Sequence, residues 1–599
     1  MIEGPSADPQ AGSPDTTRGF DVDVLVVGAG PMGATTTALL AKAGVRVRMI
    51  SMFPWVANTP RAHITSQRAM EVLRDLGVED EVQRVGTPWD LMGECPLAVS
   101  LAGPEIARMP SWGALFDRHG DYVRNSPCTY LDVPQPLMEP ILIAAAARHG
   151  AQVVFNTEFL SLVQDADGLT ATVIDHTSGI GSTVRCRYLV GADGARSRVV
   201  EQIGLPIEGH VARAGTVYTQ FRADLSRYVA HRPSILFWLF NPVGGFGEIG
   251  LGLLRAVRPW DEWISGWGFN LADGDPDLSH ETLVGRIRQL VGDPDLEPDI
   301  IRSSPWYVNQ QYATTWSSGR VFCGGDAVHR HPPSSGLGSN TCIQDAHNLA
   351  WKLAYVVHGD AGTGLLDTYT PERAPVGKQV VLRANQSRLD YAALRACLIT
   401  EGDGDPTTNA LNRLHAPTEQ GVALREQLED AMQLKEHEWN AEGVEKNARY
   451  NSTAVIAEAE AGEEVFERDI ELFAQITTRP GARVPHAWLI DTTGRRVSTL
   501  DVVGSGHMTV LTGLAGRAWQ HAVRVLGYPW LRCVMVGEPG AQDVYHAWHR
   551  IRDVHDAGAI LVRPDGYIAW RHHDAVWDDD TATALLTEVL DSVLDRHKP

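Results

Sequence analysis

The N-terminal region opens with an apolar run that ends at a glycine-rich turn. VDVLVV (22–27) is almost entirely apolar, as is typical of a strand buried in a parallel sheet. The turn is followed by the Ala- and Leu-rich stretch TTTALLAKAG and then by VRVRMI, which ends at Ile50. This order predicts a strand, a turn, a helix and a second parallel strand, which together begin an α/β fold.

Two more apolar runs end in turns farther along the chain. RYLVGADGARSRVV (187–200) contains the Asp-Gly pair 193–194, and RVFCGGDAVHRHPPSSGLGSN (320–340) precedes the helical pattern CIQDAHNLAWKLAYVV. Taken singly, each is compatible with an ordinary strand-to-helix turn. Between them, TVYTQFRADL and SILFWLFNP alternate as strands do and predict a β-sheet within residues 209–304.

The last third of the chain mixes helical and extended patterns. The segment from Leu365 is typical of helices, the polar Pro- and Gly-containing segment 401–419 predicts a linker, and a charged helix is predicted to about Ala448. Strand and helix patterns then alternate from residue 480. AILVRPDGYIAWR (559–571) predicts a hairpin with its turn at 564–566.

Composition and charge narrow the possible partners. With 599 residues we expect about three domains. The net charge of −22 argues against nucleic acid or an anionic membrane as a general partner. No apolar run approaches the roughly 18 residues of a membrane span, and the first twenty residues lack the apolar core of a signal peptide. We expect those twenty residues to form a disordered tail.

Cysteine usage indicates a reduced compartment. The seven cysteines include no CxxC pair, and their number is odd. Buried thiols in a cytoplasmic protein are the simplest interpretation.

The first glycine turn has the pattern of a dinucleotide site. Gly28 permits the tight turn, Gly30 lets the backbone approach a pyrophosphate, and Gly33 lets helix and strand pack closely. The helix N-terminus, which begins with Pro31 and Met32, offers N–H groups to the phosphates. The carboxylate expected near the end of the second strand is replaced by Ser51, which can still hydrogen-bond a ribose.

The three motifs taken together resemble a known family. A GxGxxG turn, a DG turn and a GD turn followed by a proline pair, in this order, resemble the single-component FAD-dependent aromatic hydroxylases. WVANTPRAHITSQRAMEVLRDLG (55–77) and the segment 324–354 are similar to the phenol hydroxylase branch. The resemblance implies a Rossmann-like FAD-binding domain interleaved with a mixed β-sheet substrate domain. NADPH or NADH would act as a transient reductant without a second GxGxxG motif.

The resemblance also implies roles for individual residues around the cofactor. Arg61, at the start of a predicted helix, would lie beside the flavin and pyrophosphate, and Gln135 matches the family's glutamine. Gln135 could equally be a capping or surface amide. Asp193 would face the FAD, and Asp326 would hydrogen-bond its ribityl or pyrophosphate region.

The proline pair and the glycines after it would surround the flavin ring. Pro332 and Pro333 would form a rigid wall, since proline fixes φ and removes a donor. Backbone N–H groups at the next helix start would stabilise the negative charge of reduced flavin. The residues implied for this role are Gly336, Leu337, Gly338, Ser339 and Asn340.

The family reaction implies a proton acceptor, and His63 is our candidate. The flavin forms a C4a-hydroperoxide that transfers oxygen to a ring, and deprotonation of a phenol, whose pKa is near 10, activates its ortho carbon. His63 in PRAHIT stands where relatives carry an acid/base residue, which is Asp in some of them. A neutral histidine can accept a proton. The alternative is a histidine that only packs against the flavin.

A pocket on the middle sheet is expected to bind the aromatic substrate. Plausible lining residues are Tyr218, Gln220, Trp238 and Phe246, with core packing as the alternative for each. His329 and His331 have no third ligand nearby in sequence, so we expect no metal site.

The expected domains follow from the motifs and the resemblance. They are a disordered tail (1–20), an FAD-binding domain (21–208 and 305–400), a substrate domain (209–304), a linker and helix (401–450) and a C-terminal domain (451–599). The C-terminal domain is similar to the thioredoxin-like domain of many phenol hydroxylases. It lacks CxxC and contains only Cys533, so a structural or oligomerising role is expected.

These features predict a monooxygenase that uses molecular oxygen to hydroxylate a phenol-like ring ortho to an existing hydroxyl. We expect a homo-oligomer. A natural-product hydroxylase acting on a hydroxypyridine or polyketide-derived ring, and a non-hydroxylating flavoprotein or redox sensor, remain as alternatives.

Overall fold

The computed structural model describes residues 19–109, 111–114, 116–211, 214–240, 250–399, 405–458 and 462–596. The tail predicted over 1–20 lies outside these residues, apart from its last two. Within the described chain, no helix is both long and apolar enough to cross a membrane.

The longest described helices, Gly338–His358 and Tyr369–Leu389, have 21 residues each. Their bounds are α1 Pro31–Lys42, α2 Gln67–Leu76, α3 Glu79–Val85, α4 Trp89–Met92, α5 Phe116–Asn125, α6 Gln135–Arg148, α7 Arg198–Ile203, α8 Ser226–Val229, α9 His280–Val291, α10 Gly338–His358, α11 Tyr369–Leu389, α12 Tyr391–Leu398, α13 Pro406–Leu414, α14 Glu419–Leu434, α15 Glu436–Trp439, α16 Glu442–Lys446, α17 Arg517–Leu526, α18 Ala547–Ile551 and α19 Asp579–Val593. Short 3₁₀ turns cover Gly194–Arg196, Leu271–Asp273, Gly325–Ala327, Ser334–Gly336 and Thr363–Thr368.

The described strands form several separate sheets. Their bounds are β1 Val22–Val27, β2 Val47–Ile50, β3 Ile64–Thr65, β4 Thr87–Pro88, β5 Cys95–Ala98, β6 Glu105–Met109, β7 Leu131–Asp132, β8 Gln152–Val154, β9 Thr157–Gln164, β10 Leu169–Asp175, β11 Gly181–Gly191, β12 Ile207–His210, β13 Gly215–Arg222, β14 Leu236–Phe240, β15 Leu251–Arg258, β16 Glu262–Phe269, β17 Asp299–Tyr307, β18 Gln310–Ala313, β19 Ser317–Ser318, β20 Val321–Cys323, β21 His329–Arg330, β22 Trp488–Ile490, β23 Arg496–Ser498, β24 Met508–Thr512, β25 Leu531–Met535, β26 Ala559–Val562 and β27 Ile568–His572.

The largest sheet brings the three glycine-containing turns to one edge. Its order is β19-β20-β11-β1-β2-β8, and β1 runs parallel to both β11 and β2. Strand β20 is also parallel to β11, so β1, β11 and β20 end at the same edge. The turns after these strands therefore lie together, as expected at the carboxyl ends of a parallel sheet. Helices α1, α6 and α10 pack over it, with α1 against both others.

The second sheet is mixed, as the resemblance implied. Its order is β17-β13-β16-β15-β14-β5-β6, in which β14 and β5 are parallel and the other pairs antiparallel. One face packs against α9, where residues such as Phe237 and Leu254 meet Ile287. Strands β5 and β6 also belong to this sheet, although they come from residues 95–109, outside the predicted range 209–304. They pair at its edge beside β14.

The opposite face of this sheet packs against the segment 60–64 and helix α12. Direct cross-strand partners share a face, so the pairing of Tyr218 with Gly266, Gly266 with Leu253 and Leu253 with Trp238 places these residues in one row. A second row on the same face contains Gln220, Ile264, Arg255 and Leu236. We call this surface the pocket face.

The C-terminal region forms a four-stranded sheet in the order β25-β24-β26-β27, with α17 and α19 packed together. Strands β26 and β27 are antiparallel partners. The hairpin predicted around 564–566 is confirmed.

Two expectations about secondary structure were wrong. The predicted linker 401–419 contains helix α13, since Asp405 caps it by accepting a hydrogen bond from Thr408 N and Pro406 occupies its first turn. Residues 400–404 lie outside the described part. The charged helix predicted to Ala448 is divided into α14, α15 and α16.

A third expectation concerned Arg61, which does not open a helix. It lies before β3, and the next helix is α2, which begins at Gln67 with Ser66 as its N-cap. A residue before a short paired strand cannot at the same time begin a helix.

Candidate active site

The first glycine turn has the geometry of a phosphate-binding turn. Gly28 has a φ of +112°, and a Cβ there would lie 2.1 Å from Ala192 O. A Cβ on Gly33 would lie 2.0 Å from Gly28 O. Around Gly30 the nearest such contact is Glu139 Oε1 at 3.9 Å, so this glycine faces open space. The first and third glycines are thus needed for packing, and the middle one leaves room for a ligand.

The N-terminus of α1 is available to that ligand. Gly30 is its N-cap, Pro31 occupies the first turn, and no side chain caps the helix. Met32 is buried and fills the space beside Gly324 and Gly325. Free first-turn N–H groups and the helix dipole favour a phosphate at this position.

Residues near the end of β2 and the start of α6 hold the adjacent loop. Ser51 is buried, and its Oγ accepts a hydrogen bond from Phe53 N at 3.3 Å. The Gln135 amide donates to Glu139 Oε1 at 2.5 Å, while Glu139 Oε2 accepts from Ala57 N at 2.7 Å. Burial raises the pKa of Glu139. Sequence reasoning missed Glu139, whose carboxyl connects Gln135 to the loop after β2.

The second motif carries a different arrangement from the expected one. Asp193 Oδ1 accepts from Ser197 Oγ at 2.5 Å, and Oδ2 accepts from Val199 N at 3.2 Å. Burial raises the pKa of Asp193 despite these bonds. Its side chain therefore organises the start of α7, and its expected contact with FAD stays a prediction.

The third motif presents one acidic side chain outward. Asp326 is exposed, whereas every other residue from Val321 to His329 is buried. A carboxylate that emerges from a buried turn at the shared sheet edge is well placed to meet a polar ligand.

The segment after the proline pair lies against β3. Pro333 is exposed and Pro332 is buried. Gly336 has a φ of +63°, and a Cβ there would lie 3.1 Å from the Ile64 side chain. The positive φ and the nearby Ile64 side chain together explain the glycine.

At the start of α10, the Asn340 side chain is hydrogen-bonded within the protein, whereas the first backbone N–H groups are not capped by a side chain. The Asn340 amide donates to Ile64 O at 2.9 Å and to Gly336 O at 2.7 Å, and its Oδ1 accepts from Ser66 N. The Asn340 side chain is therefore structural. No side chain caps α10 at Leu337, so the N–H groups of Gly338 and Ser339 are the ones that can face an anion.

The candidate base His63 is paired with a carboxylate from a neighbouring strand. The Nδ1–H of His63 donates to Asp132 Oδ1. The side chains of His63 and Asp132 are 15% and 1% exposed. Backbone pairing of β3 with β7, and of Val133 N with His63 O at 2.6 Å, fixes the two segments. The described residues offer Nε2 no hydrogen-bond partner, so this nitrogen remains available as an acceptor.

A buried guanidinium from the pocket face lies beside this pair. Arg255 Nη1 donates to Pro60 O and Arg61 O, both at 3.1 Å. Its Nε and Nη2 are buried and lack a hydrogen-bond partner among the described residues. Buried charged donors are normally satisfied. Two unsatisfied ones beside a candidate base indicate a place for an anionic group.

The charges in the site influence one another. Burial, and secondarily Arg255, lower the pKa of His63 to about 4, although Asp132 acts in the opposite direction. Burial lowers the pKa of Arg255 to about 10. Burial raises the pKa of Tyr218 to about 12, against the effect of Arg255. At neutral pH His63 and Tyr218 are therefore uncharged and Arg255 is a cation.

Three of the predicted substrate residues, Tyr218, Gln220 and Trp238, share the pocket face but differ in availability. Tyr218 contacts Trp306 at 5.4 Å between ring centroids, and Trp238 contacts Tyr391 at 4.7 Å. The Gln220 amide donates a hydrogen bond to Glu262 Oε1 at 2.6 Å. Phe246 lies outside the described residues.

The two histidines of the third motif are not brought together as ligands. His329 is fully buried and bonded through Nε2 to Asp345 at 2.8 Å, while His331 Nδ1 bonds to Pro332 O. The described residues contain no group of three or more potential metal ligands.

Sequence reasoning missed Asp132 and Arg255 as site residues. A weak signal existed for Arg255, since it interrupts the apolar strand LGLLRAV. Asp132 is 69 residues from His63, and no local pattern connects them.

The residues at the sheet edge fit FAD. The opening at Gly30, the uncapped starts of α1 and α10, and the outward Asp326 provide N–H donors for a pyrophosphate and an acceptor for hydroxyl groups.

Comparisons with known proteins agree with this geometry. Residues 21–384 match the family model described as FAD binding domain, and residues 477–596 match the one described as aromatic-ring hydroxylase, C-terminal. The chain is 46% identical to 2,4-dichlorophenol 6-monooxygenase of Cupriavidus pinatubonensis (strain JMP 134 / LMG 1197), over 92% of this chain and 93% of that protein. It is 42% identical to phenol 2-monooxygenase of Pseudomonas sp. (strain EST1001), over 98% and 95%.

Solved structures show the same fold. The flavin-dependent monooxygenase PieE, in complex with FAD and substrate, superposes with a TM-score of 0.91 at 41% identity, covering 96% of this chain and all of that one. Aklavinone-11 hydroxylase with FAD and aklavinone gives a TM-score of 0.77 at 31% identity, covering 96% and 99%. The chain belongs to the FAD-dependent aromatic-ring hydroxylases.

Proposed function

We propose that this enzyme hydroxylates a small phenol ortho to its existing hydroxyl, with NADPH or NADH as the reductant. The observation that carries this proposal is the neutral His63, held by Asp132 and placed beside a buried guanidinium with two unsatisfied N–H groups. A base next to a fixed positive charge is suited to a substrate that becomes an anion. Relatives named for phenol and dichlorophenol support the same substrate class.

His63 would take the proton of the phenol at Nε2. Because Nδ1 donates to Asp132, the tautomer with a free Nε2 lone pair is the one that Asp132 selects. Asp132 also stabilises the imidazolium that forms after the transfer.

Arg255 would stabilise the phenolate that results. Its unpaired N–H groups belong to the pocket face, and charge-assisted hydrogen bonds in a buried site are strong. The positive charge lowers the energy of the deprotonated substrate, so the ring becomes electron-rich when oxygen is transferred. Trp238 and Tyr218 offer an aromatic surface for the ring itself.

FAD would lie along the shared edge of the first sheet. The turn at Gly30 and the start of α1 would hold the pyrophosphate, Asp326 would bind hydroxyl groups of the cofactor chain, and Gly338 and Ser339 would donate N–H groups to the flavin ring. When bound, FAD would supply the redox chemistry, in which NAD(P)H is the reductant, one atom of molecular oxygen goes to the ring and the other leaves as water. The protein positions the phenol, removes its proton and excludes water.

We also propose a domain division that follows the sheets. The FAD-binding domain would contain the first sheet, and the substrate domain would contain the seven-stranded sheet, with β5 and β6 added to residues 209–304. The four-stranded sheet with α17 and α19 supports a thioredoxin-like C-terminal domain. A homo-oligomer remains part of the proposal, and light scattering after size-exclusion chromatography tests it.

A substrate panel tests the function. Purified protein is incubated with NADPH or NADH and with phenol, chlorophenols, hydroxypyridines or polyketide-derived phenols, while oxygen uptake is followed and products are identified by NMR. We expect phenol-stimulated NAD(P)H oxidation and an ortho-dihydroxy product. If none of the phenols stimulates oxidation, the proposal is wrong, and turnover of only a hydroxypyridine or polyketide ring would favour the natural-product alternative.

A further inference from the structure

A fully buried ionic group joins α10 and α11 to the C-terminal hairpin. The Glu372 carboxylate accepts from Lys352 at 2.7 Å and from Arg563 at 2.6 and 2.8 Å. Arg563 also pairs with Asp565, and Asn348 donates to Glu372 at 2.7 Å. The charged members are no more than 1% exposed. We call these five residues the Glu372 cluster.

The neighbouring residue of α11 belongs to a second buried group, which touches the third motif. Arg373 Nε donates to Asp345 Oδ1 at 2.9 Å. Asp345 Oδ2 accepts from His329 at 2.8 Å and from the backbone N of Gly325 at 3.1 Å. Although burial opposes ionisation, Arg373 and His329 hold the pKa of Asp345 below its ordinary value. Asp345 therefore anchors the turn that contains Asp326.

A tyrosine pair connects this anchor to the C-terminal region. Arg373 Nη1 donates to the Tyr450 hydroxyl at 3.1 Å. The rings of Tyr450 and Tyr567 stack with centroids 3.9 Å apart, and the Arg563 guanidinium lies 5.3 Å from the Tyr450 ring. An unbroken series of buried contacts thus runs from the hairpin through Tyr450, Arg373 and Asp345 to Gly325.

The turn needs such support for a physical reason. Gly325 has a φ of +65°, and glycine pays a larger entropic cost than other residues when it is held in one conformation. Buried charges cannot separate from their partners without a large penalty. A partner fixed by the C-terminal region therefore limits the movement of Arg373, and through it the movement of Asp345.

We propose that the C-terminal region is a structural part of the flavin site. Arg563, Tyr567 and Tyr450 fix Glu372 and Arg373 so that Asp345 holds the turn 324–326 in one conformation for FAD. This inference rests on the proposed contact between that turn and FAD. Tyr450, Arg373 and Asp345 are positioning residues, since they act on the cofactor through the turn.

The test compares two substitutions at the stacked pair in the full-length protein. Tyr450→Phe removes the hydroxyl bonded to Arg373. Tyr567→Phe is the matched control, because it keeps the ring that stacks on Tyr450, and the hydroxyl it removes is buried without a hydrogen-bond partner among the described residues. Arg563→Met is a stronger perturbation. The readouts are amide hydrogen exchange over residues 324–328 in apoprotein and the Kd for FAD measured by fluorescence titration.

We expect Y450F to accelerate exchange at Gly325 by about tenfold and to raise the Kd for FAD by a similar factor, since one charged hydrogen bond is lost. Y567F should match the wild type, and R563M should exceed Y450F. Wild-type exchange in both Y450F and R563M would overturn the proposal. Should R563M fail to fold, Y450F against Y567F decides alone.

A third result distinguishes the support of the turn by the C-terminal region from the proposed contact between the turn and FAD. Faster exchange at Gly325 with an unchanged Kd for FAD would show that the hairpin supports the turn but that the turn does not contact FAD. That result would overturn both the placement of FAD at Asp326 and the C-terminal region's part in the flavin site, while phenol hydroxylation would be unaffected.

Discussion

His63 is the residue on which the proposed chemistry depends most directly. His63→Ala should bind FAD normally, because the His63 side chain bonds to Asp132 and is not part of the glycine turn. Loss of the base should slow hydroxylation by about 10²–10⁴-fold and increase the hydrogen peroxide released per NAD(P)H. Stopped-flow turnover and a peroxide assay measure both effects.

The control for His63 is an exposed histidine in a comparable ion pair. His176, which follows β10 of the first sheet, pairs with Glu158 at 2.8 Å and is not part of the pocket face, so His176→Ala should behave as the wild type. Unchanged turnover and coupling of His63→Ala from pH 6 to 9 would reject the role of His63 as the base.

Substitution of Arg255 should shift the pH dependence of the rate in a defined direction. Arg255 lowers the pKa of His63, so Arg255→Met should raise this pKa from about 4 toward its ordinary value. His63 accepts a proton only above its pKa, and the rate falls as the pH drops through it. The acidic limb of kcat/KM should therefore move to higher pH in the variant. A pH profile measures the shift.

The same substitution should lower the rate at every pH, because the phenolate loses its counter-charge. Arg258, on the same strand, is exposed and paired with Glu262 at 2.6 Å, which makes Arg258→Met the matched control. An acidic limb at the same pH in Arg255→Met and the wild type would contradict the assigned interaction.

At the scale of elements, the glycines of the first turn have different roles: Gly33 is needed for packing and Gly30 for ligand binding. A methyl group at Gly33 would meet Gly28 O at 2.0 Å, so Gly33→Ala should destabilise the apoprotein by about 1–3 kcal/mol. Gly30→Ala has space and an ordinary φ of −71°, so it should unfold as the wild type does yet bind FAD about tenfold more weakly or worse. Urea unfolding and FAD titration measure the two. Wild-type FAD affinity in Gly30→Ala would reject the pyrophosphate assignment.

The elements themselves were largely predictable from local pattern. β1, β13, β14, α10 and the hairpin near 564 follow from apolar runs, alternation and turn residues. The predicted linker 401–419 was wrong because its composition outweighed the capping signal of Asp405 and Pro406. Composition averages over a segment, whereas a helix start depends on one or two residues.

At the scale of the whole molecule, the C-terminal region should have no thiol redox function. Cys533 is the only cysteine in residues 477–596, and burial raises its pKa to about 12. A thiol with a raised pKa forms little reactive thiolate. Cys533→Ser should keep the wild-type rates of NAD(P)H oxidation and hydroxylation. A fall in either rate in folded Cys533→Ser protein would contradict a purely structural role.

The sequence by itself determined the parts of this protein that depend on neighbouring residues. The spacing of the glycines at 28, 30 and 33 after an apolar strand is visible in the sequence without knowledge of the fold. Only the tertiary structure placed Asp132 against His63 and Arg255 against the same segment, across separations of 69 and 194 residues. His63 and Asp132 meet because β3 pairs with β7, and Arg255 reaches the same segment from a strand of the seven-stranded sheet. Contacts between segments so far apart in sequence leave no periodic signal in the chain.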